Sequence, residues 1–377
     1  MKLAPFLLDE WLAQKDLPGS PIKFDLASST GPSWTLRELL ALEGDEGCDR
    51  LLDGRLYYTP TAGSPELREA IAGLEGVEPE HVQVVTGASE ALAILFWLAA
   101  EAGANVVLPE PGYPTNAAFA ESFGLQIRQY RLRRESGFRI DCDEIRALVD
   151  RDTRFVLVNT PHNPTGSVLS DAEMDSLHDL CAERGVPFIC DQVYHPIYHG
   201  AETRSAARLR HATVLGDFSK ALCLSGLRTG WIVERDPERR ALYRNARSHL
   251  SISNTVLGEH LATLALRHSE TIYGRVREVT ERNLALLDPV MKELQDVLGW
   301  VRPGGGMTAL PWLTSQADAR EFCCRLASRG VLVAPGDCFG RPEYFRLGFG
   351  STRDRFGAAI GRFADLVRSE ARQLSIV

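Results

Sequence analysis

The chain has 377 residues, 44% hydrophobic and 24% charged, so it reads as ordinary globular protein with room for one large and one smaller domain. Its formal charge of -8 argues against a basic nucleic-acid-binding surface. Asp9 and Glu10 break the first apolar run, so no signal peptide is expected. No stretch approaches the roughly 18 apolar residues of a membrane helix, and a soluble protein is the expectation.

Along the chain, Val82–Thr86 predicts a strand, and Ala88–Ala100 beyond Gly87 predicts a helix. Asn105–Leu108 is a second strand, ended by Pro109-Glu110-Pro111-Gly112. Arg154–Asn159 and Pro187–Cys190 read as two further buried strands, each followed at once by polar residues. Alternation of this kind indicates a largely parallel sheet, in which ligands sit beyond the carboxyl ends of the strands. Ile252–Leu298 is rich in helix formers and predicts long helices. After Trp300 the pattern becomes short strands (Met307–Leu313, Val331–Ala334, Tyr344–Phe349) around a helix at Asp318–Arg329, an α+β arrangement. The eight cysteines contain no Cys-x-x-Cys pair, so neither a zinc site nor a disulfide framework is indicated. Reduced thiols in a cytoplasmic protein are expected.

The most informative run is Gly216-Asp217-Phe218-Ser219-Lys220, continuing to Arg228 and Trp231. A lysine whose surroundings favour the neutral amine is a nucleophile suited to forming a Schiff base with an aldehyde cofactor. An arginine eight positions later could hold a phosphate through paired hydrogen bonds. Three other runs accompany it in order: Val85-Thr86-Gly87-Ala88-Ser89-Glu90, Asn159-Thr160-Pro161-His162-Asn163-Pro164-Thr165-Gly166, and Asp191-Gln192-Val193-Tyr194.

Together these resemble the class I/II aminotransferases, pyridoxal-phosphate (PLP) enzymes of fold type I, over roughly Tyr58 to Arg346. The resemblance implies an α/β fold: a large domain with a mainly parallel seven-stranded sheet flanked by helices, plus a smaller α+β domain. Residues 1–45 would form an N-terminal arm and part of the small domain, 46–250 the large PLP-binding domain, and 251–377 an interdomain helix and the C-terminal small domain. Lys220 would carry the cofactor, Asp191 would keep its ring nitrogen protonated, and Tyr194 and Asn163 would bond its phenolic oxygen. Tyr113 would stack on the ring. Ala88, Ser89, Ser219 and Arg228 would hold the phosphate at a helix N-terminus, with Tyr58 reaching across from a second subunit and Tyr57 the competing register. Arg346 would grip the substrate carboxylate, with Asn163 beside it, and Gly31 would lie over the substrate.

The implied activity is transfer of an amino group from an L-amino acid to a 2-oxo acid, by a homodimer with shared active sites and no nucleic-acid or membrane partner. Two features hold a second reaction open. Asp217 stands where the family usually has a serine or threonine on the phosphate, and a carboxylate there has no hydrogen to donate. It either pairs with Arg228 or turns away, leaving Ser219 to supply a hydroxyl. The stretches Arg302–Pro311 and Gly330–Gly340 resemble those of capreomycidine synthases, which cyclise an arginine derivative, so a PLP-dependent lyase or cyclase is the alternative. A PLP-binding regulatory module fits less well, because such modules are typically fused to a DNA-binding domain and no basic helix is present.

Overall fold

The protein is described here from a computed structural model covering residues 3–315, 317–351 and 355–374. Seven strands build the main sheet: β1 (Val82–Val85), β2 (Asn105–Glu110), β3 (Gln126–Arg131), β4 (Thr153–Asn159), β5 (Phe188–Asp191), β6 (Ala212–Asp217) and β7 (Gly230–Val233). Their spatial order is β1-β7-β6-β5-β4-β2-β3. All neighbours run parallel except β7, which is antiparallel to both β1 and β6. The sheet is thus mainly parallel, as the resemblance implies. β1, β5, β6 and β7 are buried along their whole length, which is why the inner strands are near-continuous apolar runs.

Three of the seven strands are not apparent from the sequence pattern, each for a physical reason. β3 is an edge strand with arginines and glutamines facing solvent. β6 carries Gly216 opposite Trp231 of β7, where an added Cβ would sit 2.0 Å from the indole. A glycine inside a strand weakens the apolar signal while allowing a bulky neighbour to lie flat against the backbone. β7 itself is short and opens on Gly230.

Apolar layers cover both faces of the sheet. One contains Val84, Val107, Val156 and Phe188, the other Val85, Val106, Leu157 and Ile189, so alternate residues of each strand feed opposite cores. A third core joins Leu8, Trp11 and Leu26 near the start of the chain to Leu284, Phe322, Phe345 and Phe363 near its end. Phe24–Asp25 pairs in parallel with Val331–Leu332, tying the first residues to the last third of the chain. The predicted strand Met307–Leu313 is broken: Thr308–Ala309 pairs with Phe345–Gly348, while Trp312–Leu313 pairs with Leu298–Gly299. The long helices predicted after Ile252 are Val256–Arg267 and Ser269–Glu293.

Candidate active site

The strand directions place the carboxyl ends of β1, β2, β4, β5 and β6 on one edge of the sheet, together with the amino end of the reversed strand β7. Register brings Asn159 beside Asp191, and both Asp217 and Val85 beside Gly230. Beyond this edge lies a cavity of about 290 Å³. It brings together Ala88, Ser89, Tyr113, Asn163, Asp191, Tyr194, Ser219, Lys220 and Arg228 from the predicted set, and adds Asn159, Asp217 and Ser225.

Lys220 follows β6 with its side chain half-buried, and desolvation pulls its amine below the ordinary lysine range. Its Nζ donates to Ser29 Oγ at 3.1 Å. Asp191 ends β5, and its Oδ1 accepts from the Val193 amide at 3.1 Å. Burial, with a smaller contribution from the neighbouring Asp217 carboxylate, pushes Asp191 up to about 7. Tyr194 is buried, its hydroxyl pushed up to about 12 by that burial, and it donates to the Ser29 carbonyl at 3.1 Å.

Asn163 is fixed by its neighbours. Its backbone amide donates to Asn159 Oδ1 at 2.7 Å, and Asn159 Nδ2 in turn donates to the Asp191 carbonyl at 3.0 Å. Asn163 Oδ1 accepts from Arg346 Nη1 at 3.1 Å. Arg346, on the strand Phe345–Gly348, is 1% exposed and lies 4.9 Å from the Phe339 ring, with Nη2 and Nε donating to the Ala27 carbonyl at 2.7 and 3.2 Å. It therefore sits behind Asn163, in the wall formed by the 26–29 segment.

The cup at the opposite end starts at Gly87, whose φ of +76° opens the helix Ala88–Ala99. Arg228, at φ +47°, closes it, with Nη1 donating to Ser219 Oγ at 3.3 Å. Asp217 resolves the question left by the sequence in an unforeseen way. Its Oδ2 accepts from the Ala88 amide at 2.7 Å and its Oδ1 from the Ser219 amide, so it caps the helix from the adjoining strand. It thereby uses one of the backbone donors expected for a phosphate. Ser89, Ser219 and Ser225 hydroxyls and the Arg228 guanidinium remain as the cup's donor chemistry.

Two predicted residues are placed apart from this group. Tyr58 is 68% exposed, its ring 5.8 Å from that of Tyr57. Gly31 packs against the chain rather than lining the cavity; a Cβ there would lie 2.5 Å from Cys223 Sγ and 3.2 Å from Met307. The loop residue that reaches the site is Ser29, two positions earlier. Asn159, ending an apolar run in a parallel strand, carried a usable signal; Ser29 carried none. His162 and His195 do not line this cavity. Burial holds them at about 3 and about 4, and their Nδ1 atoms bond Thr165 and the Tyr198 hydroxyl.

A desolvated amine, a buried carboxylate and a hydroxyl-and-arginine cup at a helix N-terminus form a donor set that fits pyridoxal phosphate. The family profile described as aminotransferase class I and II matches residues 41–363. The chain belongs to the class I and II aminotransferase family. Its cofactor is accordingly pyridoxal 5'-phosphate. It is 31% identical to capreomycidine synthase of Streptomyces vinaceus over 371 residues, covering 97% of this chain and 94% of that protein. It is 32% identical to an arginine–pyruvate transaminase of Pseudomonas aeruginosa over 317 residues, covering 80% and 79%. A crystal structure of a PLP-dependent aminotransferase from Streptococcus suis superimposes with a TM-score of 0.91 at 27% identity, covering 98% of this chain and 99% of that one.

Proposed function

We propose that the protein is an aminotransferase that moves an amino group from an L-amino acid to a 2-oxo acid, with Lys220 as the attachment point of the cofactor and the group that moves the proton. The observation that carries this reading is the position of Lys220, lining a cavity that Asp191 also lines, with Arg346 behind its wall. Bound pyridoxal phosphate supplies an electron sink for a bond broken at the substrate Cα.

The chain's own residues account for the rest. Asp191 would pair with the ring nitrogen, and a cationic partner would return its carboxyl to the ionised form that burial opposes. Tyr113 would pack on the ring face. Arg346 would receive the α-carboxylate, where a planar fork matches a planar anion. It would exchange the Ala27 carbonyl for that anion and so fix the orientation of the substrate Cα. The freed Lys220 amine, its pKa lowered by desolvation, would accept the Cα proton and give it up again later in the same turnover. Ser89, Ser219 and Arg228 would hold the phosphate, with Tyr58 of a second copy completing the cup. Exposure of Tyr58 on the single chain supports that homodimeric arrangement.

A second reading has specific support. The similarity to capreomycidine synthase runs over 97% of the chain, and it favours a PLP-dependent cyclase or lyase acting on an amino-acid side chain. One spectroscopic experiment separates the two. Under the aminotransferase reading, single-turnover addition of amino donors, arginine among them, shifts the cofactor absorbance to its amino form, and a 2-oxo acid restores it. If no donor produces this reversible shift while a side-chain-modified amino acid is consumed, the aminotransferase reading fails and the cyclase reading stands. Lys220→Ala should abolish the visible absorbance of the bound cofactor; a retained, borohydride-reducible link would overturn the assignment of Lys220.

A further inference from the structure

The segment before Gly31 brings a hydroxyl to the lysine. Ser29 is 9% exposed, its Oγ accepts from Lys220 Nζ at 3.1 Å, and its carbonyl accepts from the Tyr194 hydroxyl at 3.1 Å. The segment is pinned along its length. The Leu26 carbonyl accepts from the Gly348 amide at 2.7 Å, and the Ala27 carbonyl accepts from Arg346. A Cβ on Gly348 would lie 1.9 Å from the Ser28 carbonyl oxygen, so only glycine permits this approach. Ser29 is thereby held between Lys220, Tyr194 and the Arg346 strand.

We propose that Ser29 is a further catalytic residue, whose hydroxyl holds the Lys220 amine whenever that amine is not bonded to the cofactor and so sets its position and readiness to give up a proton. The proposal rests on the reading of Lys220 given above. A hydroxyl oxygen accepts from an ammonium and favours it, while burial favours the neutral amine, so the two effects oppose each other at Nζ. Tyr113, Arg346, Asp217, Asp191 and Cys223 also act on this amine. All five are present in every Ser29 variant, and the Ser29→Thr control, which keeps the hydroxyl, separates its effect from theirs.

The test is the pH dependence of cofactor capture. Only the neutral Nζ adds to the aldehyde carbon; a C–N double bond forms and the aldehyde oxygen leaves as water with the two amine hydrogens. Cofactor-free wild type, Ser29→Ala and Ser29→Thr are mixed with pyridoxal phosphate over a pH series, and the rate of appearance of the link absorbance is recorded. In Ser29→Ala the midpoint of the rate profile moves to lower pH by about 0.5–1 unit, the final absorbance is unchanged, and Ser29→Thr restores the wild-type midpoint. Coincident wild-type and Ser29→Ala profiles overturn the proposal, as does an equal shift in Ser29→Thr. Should Ser29→Ala not fold, Ser29→Cys keeps the volume without a strong acceptor and is judged by the same criterion. Failure of the wild type to form any link would instead bring down the Lys220 reading, and this proposal with it.

Discussion

Asp191 and Asp217 are neighbouring buried carboxylates with different constraints. Asp191, raised to about 7, binds a proton in the folded chain that it would release in the unfolded chain above about pH 4. The contribution of this one group to the stability of the cofactor-free protein is then greatest below the unfolded value. It falls as pH rises from about 4 toward 7, by up to ~1.4 kcal/mol per pH unit from this group. Asp191→Asn should flatten that segment of the thermal-midpoint-against-pH curve while weakening cofactor binding; a curve parallel to wild type would show that the carboxylate is not protonated there. Asp217, engaged with the Ala88 and Ser219 amides, sets a carboxylate against the phosphate end of the cup. Asp217→Ser should free the Ala88 donor and remove like-charge repulsion, tightening pyridoxal-phosphate affinity about 5–30-fold by equilibrium titration. An affinity that falls instead would mean that capping of the helix outweighs both effects.

At the scale of elements, the cup depends on a bridge the motifs do not include. Asn254 Nδ2 donates to the carbonyls of Val85 and Arg228, both at 3.1 Å, joining the end of β1 to the entry of β7. Arg247, fully buried, donates to Asn254 Oδ1 and the Thr61 carbonyl, while Glu259 accepts from Thr59 Oγ1 and the Ser64 amide, both at 2.7 Å. Asn254→Ala should cost about 1–3 kcal/mol in denaturant unfolding, because it removes the partner of the Arg228 carbonyl and of Arg247 Nη2 and one of the two donors to the Val85 carbonyl. It should also weaken cofactor affinity, since Arg228 loses its tether. The sequence made the sheet's apolar strands and the polar residues at their ends legible, because those signals are local: a run, then Asn159 or Asp191. It did not make Ser29, Asn254 or the capping role of Asp217 legible. Each acts on a partner more than twenty residues away, through a contact that only the assembled fold creates.

For the whole molecule, the proposed shared sites give a prediction that no single-chain reading matches. Lys220→Ala and Tyr58→Ala chains, each defective alone, should complement when co-refolded. In a mixed pair one site has lost both groups and the other keeps both, so about a quarter of all sites recover cofactor binding. No recovery, with a dimer seen by sedimentation, would place Tyr58 outside the partner's cup.

The connection from β6 to β7 carries Lys220 and Arg228 together, between two strands that are immediate neighbours in the sheet. Arg346 and Ser29 belong instead to the wall built from the 26–29 segment and the strand Phe345–Gly348. Under the roles proposed above, the cofactor's attachment point and the grip on the substrate carboxylate would come from different tracts of chain. Divergence in the second tract can change what is done to a substrate while the first stays intact, which offers a physical route by which one scaffold could serve transaminases and cyclases alike.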